Sequence, residues 1–429
     1  MMGLQLRSLP ARLGLMLLAT QLAGCGSIPW FGKEKDPTPP SELPAISQEA
    51  ALSTLWSQRP TRGTEGRRLY LVPAIAAGQL YVADARGRLV ALAADSGRVL
   101  WQRETSLAFS GGPDVLGDRL VLGTSQGELV AFSTRDGQEL WRAQLGSEVL
   151  SVPRLTADGK VMVHTLDDSL HGLEAATGKV LWRVAYPPPV LTLRGSSTPT
   201  LAESGVVVGL SGGKLVKVDP NDGTAIWEVV VTRPSGRSEL ARIADIDADP
   251  VLIGDTLYVG SYNGDLAAVD LASGEVRWRR ELSAHAGIAA DESGLFVTDS
   301  EDILWAANAT DGAGRWKQEQ LRYRRLTAPA LIGNRILVGD LEGYLHLLDK
   351  SDGRLIGRAR VAKSGITARP LVVGARLYVH AEDGTLAALT LGATTPATTA
   401  RPDSRNRREA TTAVSDEPAS ASTNPETPR

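Results

Sequence analysis

A dipeptide ending in Gly is followed four residues later by Trp, six times along the chain. The pairs are Gly97 and Trp101, Gly137 and Trp141, Gly178 and Trp182, Gly223 and Trp227, Gly274 and Trp278, and Gly312 and Trp316. A seventh copy, at Gly353, carries Gly357 where the indole would stand. Successive tryptophans lie 40, 41, 45, 51 and 38 residues apart. A period of this size belongs to a chain that cannot bury its apolar face one unit at a time and must stack copies, as a solenoid or a propeller.

A second turn precedes each of these by about ten residues. Its key positions are Gly87, Gly127, Asp168, Gly213, Gly264, Asp302, Gly343 and Gly384. Glycine and aspartate tolerate the positive φ of tight hairpins. The intervening segments, such as "RLVALAA" and "DTLYVGSY", are short and rich in Val, Leu and Tyr, and read as strands. Proline opens most units, at Pro73, Pro113, Pro153, Pro199, Pro250, Pro329 and Pro370, where a strand loses no ladder donor. Four antiparallel strands repeated around an axis make a propeller blade. Eight units begin near residues 73, 113, 153, 199, 250, 287, 329 and 370, so the fold expected is all-β, an eight-bladed β-propeller over residues 50–390. The eighth unit lacks its outer strand, while "ALSTLWSQRP" upstream carries an unclaimed Trp56. The N-terminal segment is therefore expected to supply that strand and close the ring, removing open sheet edges. Indoles at one offset in many blades cannot all line one cofactor site; they are expected to pack between blades. Without its Trp, the seventh blade is expected to be looser.

Outside the ring, Arg7 and Arg12 flank the apolar stretch "LGLMLLATQLAG", the layout of an export signal over residues 1–24. It ends in "LAGC", which resembles the lipobox of bacterial lipoproteins and implies cleavage before Cys25 and acylation of that residue. Gly26, not Asp, follows, which in the enterobacterial sorting rule implies the outer membrane. Several acyl chains anchor stably where one is marginal. Cys25 is the one cysteine, so an intrachain disulfide and a cysteine metal cluster are excluded. Residues 25–49 are Pro-rich and charged and read as a tether; residues 391–429, nearly devoid of large apolar side chains, read as a disordered tail. A net charge of −3 gives no reason to expect nucleic acid.

Little in the chain points to catalysis. His164, His171, His285, His346 and His380 are scattered over four units without metal-ligand spacing, and no nucleophile elbow, P-loop or zinc-protease motif occurs. "DIDADP", from Asp245 to Pro250, begins like a calcium loop but has Pro250 and Thr256 where Gly and Glu are needed. It reads as a solvated loop between blades or as an acidic docking site. The longest connections flank the fourth blade: residues 185–199, presenting Leu191, Leu193 and Arg194, and residues 231–250, presenting Asp245 and Asp247. Long loops on a rigid scaffold are where binding concentrates.

Lipobox, tether, Trp-bearing repeats, N-terminal closure, "LTLRG" and "ADID" together resemble the BamB family, lipoprotein subunits of the β-barrel assembly machinery. The resemblance implies a non-enzymatic scaffold without a cofactor, held by its lipid to the outer membrane and facing the periplasm. It implies that Leu191, Leu193, Arg194, Asp245 and Asp247 contact the POTRA domains of BamA, and that the protein aids delivery and insertion of nascent outer-membrane proteins. The tail after residue 390 departs from the family's compact end. The repeats also look like those of pyrroloquinoline-quinone dehydrogenases. An enzyme of that kind, needing a calcium ion and a catalytic acid, is the alternative, and a propeller scaffold with another envelope partner is a third.

Overall fold

In the computed structural model, residues 38–284 and 286–393 are described; the expected signal peptide, Cys25, His285 and the tail beyond Ala393 lie outside them. Eight sheets surround an axis. Strands are lettered a to d from the axis outward. Seven blades each use four consecutive strands. The eighth takes Leu371–Val373, Arg376–His380 and Leu386–Ala393 as strands a to c, and Ala50–Gln58 as strand d, so the N-terminal strand closes the ring as expected.

Burial follows position in the blade. Strands b and c, such as Gln79–Ala83 and Arg88–Ala93, are buried nearly throughout, because each lies between two neighbouring blades. Their near-continuous apolar runs suit strands covered on both faces. Strand d is mostly exposed apart from its indole.

The Gly-to-Trp spacing has a geometric cause. In strand d of seven blades the register with strand c slips by one residue just before the Trp position, as between Trp141 opposite Ala131 and Glu139 opposite Phe132. Such a bulge re-aims the following side chain. The indole is turned onto the next blade, where it meets the c–d turn glycine. A Cβ at Gly178, φ +76°, would lie 2.4 Å from the Trp141 ring; Gly97, Gly137, Gly223, Gly274, Gly312 and Gly353 are blocked in the same way by Trp56, Trp101, Trp182, Trp227, Trp278 and Trp316. Each indole N–H also donates to a backbone carbonyl of that turn, as Trp141 Nε1 does to Ala175 at 2.9 Å and Trp56 Nε1 to Ala94 at 3.2 Å. The repeat is thus a dock between blades.

Three expectations need correction. In the fifth blade positive φ falls on Asn263, at 47°, rather than on Gly264. The last strand runs on to Ala393, past residue 390. The third concerns the tether, part of which covers the seventh blade, the one without its Trp. The backbone of Glu49 donates to the Ile356 carbonyl at 2.8 Å, Ser41 N to Arg322 O at 3.0 Å, and Arg324 Nη1 to Ser41 O at 2.8 Å. Residues 41–49, read from sequence as tether, lie against the ring. A short strand that the repeat does not announce, Tyr70–Leu71, pairs parallel with the inner strand Phe109–Leu116 of the second blade. The chain from Thr61 to Leu71 runs between the b–c turns of the eighth and first blades, with Thr64 N donating to Glu382 O and Ala85 N to Gly63 O.

Candidate docking site

In an antiparallel four-stranded blade, the b–c turns and the d-to-a connections lie at one end. The loops 185–199 and 231–250 are both d-to-a connections, on either side of the fourth blade, and so share that end with the strap over Thr61–Leu71. The structure joins the two loops directly. Asp245 is buried, and its carboxylate accepts from Leu193 N at 2.6 Å and from Gly212 N at 2.8 Å. Asp249 accepts from Thr198 N at 2.6 Å. Between them, Asp247 sits where a Cβ on Gly195 would be 2.1 Å from its carboxylate, so only glycine permits the approach.

The alternation in "DIDAD" explains this arrangement. In extended chain, residues i, i+2 and i+4 share a face. The three aspartates face the first loop, while Ile246 and Ala248 are buried, with Ile246 packed against Gly209. Neither a solvated loop nor an outward acidic patch is formed. The sequence reading has Asp245 and Asp247 standing out beside Leu191; Asp245 is instead turned inward, because its carboxylate satisfies buried backbone donors. Burial, above all, raises the Asp245 pKa against the pull of its two N–H donors. Asp247, whose Oδ2 is buried without a hydrogen-bond partner, is pushed up to about 7 by burial first and by the neighbouring Asp245 carboxylate second.

Arg194 is also committed inside the molecule. Its Nη2 lies 2.7 Å from Glu148 Oε1, and its Nη1 donates to the Arg68 carbonyl at 2.6 Å. His164 holds the base of the loop: its imidazole lies 3.0 Å from the Ser197 carbonyl and 3.2 Å from the Asp168 carboxylate. The two loops show apolar side chains to solvent beside charged ones such as Glu239 and Arg242. Leu191 is 40% exposed, Val190 fully so, and Leu240, on the turn Leu240–Arg242, is 69% exposed; Leu193 is half-buried. A cavity of about 150 Å³ opens between the loops, lined by Pro189, Leu191, Pro234, Arg242 and Ile243 among others. No group of side chains suited to hold a metal ion occurs among the described residues. Glu148, Arg68 and Asp249 were not singled out by the sequence, and His164 was set aside with the other histidines. Only Asp249, two residues beyond Asp247 in the same alternation, carried a signal that points to it.

The sequence profile of the family described as outer membrane protein assembly factor BamB matches residues 45–122, 86–318 and 322–416. The chain belongs to the BamB family. Outer membrane protein assembly factor BamB of Pseudomonas aeruginosa is 40% identical over 377 residues, 88% of this chain and 98% of that one. The crystal structure of BamB from Moraxella catarrhalis superposes with a TM-score of 0.72 at 28% identity, covering 79% of this chain and 100% of that one. Quinohemoprotein alcohol dehydrogenase from Comamonas testosteroni gives a TM-score of 0.65 at 14% identity, over 79% of this chain and 76% of the enzyme. That likeness is one of fold alone. As a BamB-family member the chain is a non-enzymatic outer-membrane assembly factor of the BAM complex, and the dehydrogenase reading is set aside.

Proposed function

We propose that this chain serves the BAM complex by docking on the periplasmic POTRA domains of BamA through the surface that loops 185–199 and 231–250 make together. The observation that carries this reading is the hydrogen bond from Leu193 N to Asp245, which fuses two loops some fifty residues apart into one surface. That surface displays Val190, Leu191 and Leu240 beside Arg242 and Glu239. An apolar centre rimmed by charge is the anatomy of a protein interface. In this reading Leu191 and Leu193 supply the desolvated contact, Asp245 holds them in place, and Asp247 packs its carboxylate against the loop at Gly195. Cys25, acylated, tethers the protein to the outer membrane on its periplasmic side. From there it aids delivery and insertion of nascent outer-membrane proteins.

The test is capture of BamA from solubilised membranes by the tagged protein, beside a variant with Leu191, Leu193 and Arg194 all changed to Ala. Truncating a central apolar anchor typically costs about 2 kcal/mol or more, roughly thirtyfold in affinity. Capture by the parent chain and its loss in the folded variant supports the surface. Equal capture by both removes the loops from the interface.

A further inference from the structure

We propose that Glu148 is a positioning residue for the docking loop, and that Arg194 acts on binding from within, as the clamp of that loop, rather than by touching the partner; this rests on the docking surface argued above. Glu148 lies in neither loop. It sits in the short connection between the second and third blades, and its backbone carbonyl accepts from Leu166 N at 2.9 Å, which ties it to a b–c turn of the ring. Its side chain is 13% exposed against 46% for Arg194. The carboxylate thus belongs to the rigid scaffold and the guanidinium to the loop, so the pair carries position from one to the other.

The second acceptor strengthens the point. The Arg68 carbonyl belongs to the strap that crosses from rim to axis, and that strap is fixed at Thr64 by Glu382 and at Val72 by Gly112, each at 3.0 Å. Leu193, next to Arg194, has its N–H held by Asp245 from the opposite loop. Two consecutive residues are therefore gripped from opposite sides. Val190 and Leu191, which precede them, are displayed with little freedom left to lose on binding. An interface gains affinity when its loop is already ordered. Two of the five guanidinium N–H donors are held by these acceptors, one on each Nη, which fixes the plane and position of the group, and a partner carboxylate would have to share its charge with Glu148.

A partly exposed ion pair contributes little to global stability, so variants here are expected to melt near the parent temperature while loosening the loop. Two readouts follow. In the free protein, Glu148→Gln should speed amide hydrogen exchange at Leu191, Thr192, Leu193 and Arg194. Its Kd for the periplasmic domain of BamA should rise about tenfold. Glu148→Arg and Arg194→Glu should each weaken binding further, and the two combined should recover part of the loss, because the swapped pair re-forms the ion-pair arm of the clamp though not the bond to the Arg68 carbonyl. Unchanged exchange and affinity in Glu148→Gln would overturn the proposal. So would a swapped double variant as weak as Arg194→Glu alone, the result expected if Arg194 meets the partner directly. Should the parent chain not bind BamA at all, the docking reading falls, and the exchange measurement still decides the clamp.

Discussion

The dock between blades makes a quantitative prediction at Gly178. Its φ of +76° is left-handed, and a Cβ there would come within 2.4, 2.7 and 3.0 Å of three ring atoms of Trp141. Gly178→Ala therefore carries two costs. Left-handed backbone for a residue with a Cβ costs about 1–2 kcal/mol, and overpacking against a held ring adds about 1–3 kcal/mol. The sum is roughly 2–5 kcal/mol. Gly159, in the a–b turn of the same third blade, is the control: φ is +85°, and nothing lies within 4 Å of its added Cβ. Gly159→Ala should show the backbone cost alone, about 1–2 kcal/mol. Removing unfolded-state freedom offsets both substitutions equally, so their difference isolates the clash. Trp141→Ala itself should cost about 3–5 kcal/mol through lost burial and a cavity, but it also removes the atoms that the added methyl would meet. Urea unfolding followed by far-UV circular dichroism, on the single and double variants, closes a double-mutant cycle. In the Trp141→Ala background, Gly178→Ala should fall to the cost of Gly159→Ala. A cost at Gly178 that is the same with and without Trp141 would refute the dock as the reason for the glycine.

Two further outcomes are expected. Deleting residues 26–58 removes strand d of the eighth blade and the docking residue Trp56, leaving strand Leu386–Ala393 with an open edge; gel filtration should find aggregate, and a monomer that melts cooperatively would sink the closure argument. Asp247, with its pKa raised to about 7, binds its proton more tightly folded than unfolded. Its contribution to stability is present in full below the ordinary aspartate value and is lost as pH rises toward 7. Urea midpoints of the parent chain, relative to Asp247→Asn, should therefore fall between about pH 4 and 7 and then level off; a difference that does not change with pH would contradict the buried, unpaired carboxylate.

The ring was legible because its signals are local and repeated. Gly and Trp at a fixed offset, short apolar runs and turn residues recur from unit to unit, and the unclaimed Trp56 marked the closing strand. The loops were legible only as loops. Their length announced them, but nothing in "LTLRG" records that Arg194 would find Glu148, 46 positions upstream, or the carbonyl of Arg68. Such contacts depend on which connections the ring brings to one end, and no period encodes that. The aspartates were misdirected for a related reason. An acidic run in a connection is usually solvated, yet its alternation with Ile246 and Ala248 is the pattern of extended chain with two different faces. Here both faces are covered, and two of the three carboxylates, Asp245 and Asp249, find backbone donors.

The absent tryptophan at position 357 follows from the same closure. A dock needs an indole on strand d, a bulge to aim it, and a c–d turn with glycine in the next blade. The bulge persists in the seventh blade, where Gly357 pairs with Leu347 and Leu355 with Leu348. The next blade, however, takes strands c and d from opposite ends of the chain, so it has no turn between them to receive an indole. A ring there would have nothing to dock on, and the space is already used: a Cβ at Gly357 would lie 2.4 Å from the Ala50 carbonyl. The segment that closes the ring thus also replaces the eighth dock, with backbone hydrogen bonds at Glu49 and the Glu49–Arg354 ion pair in place of an indole. Residues 41–49 are on this account part of the propeller, and the seventh blade owes to them the cover that its six predecessors receive from tryptophan.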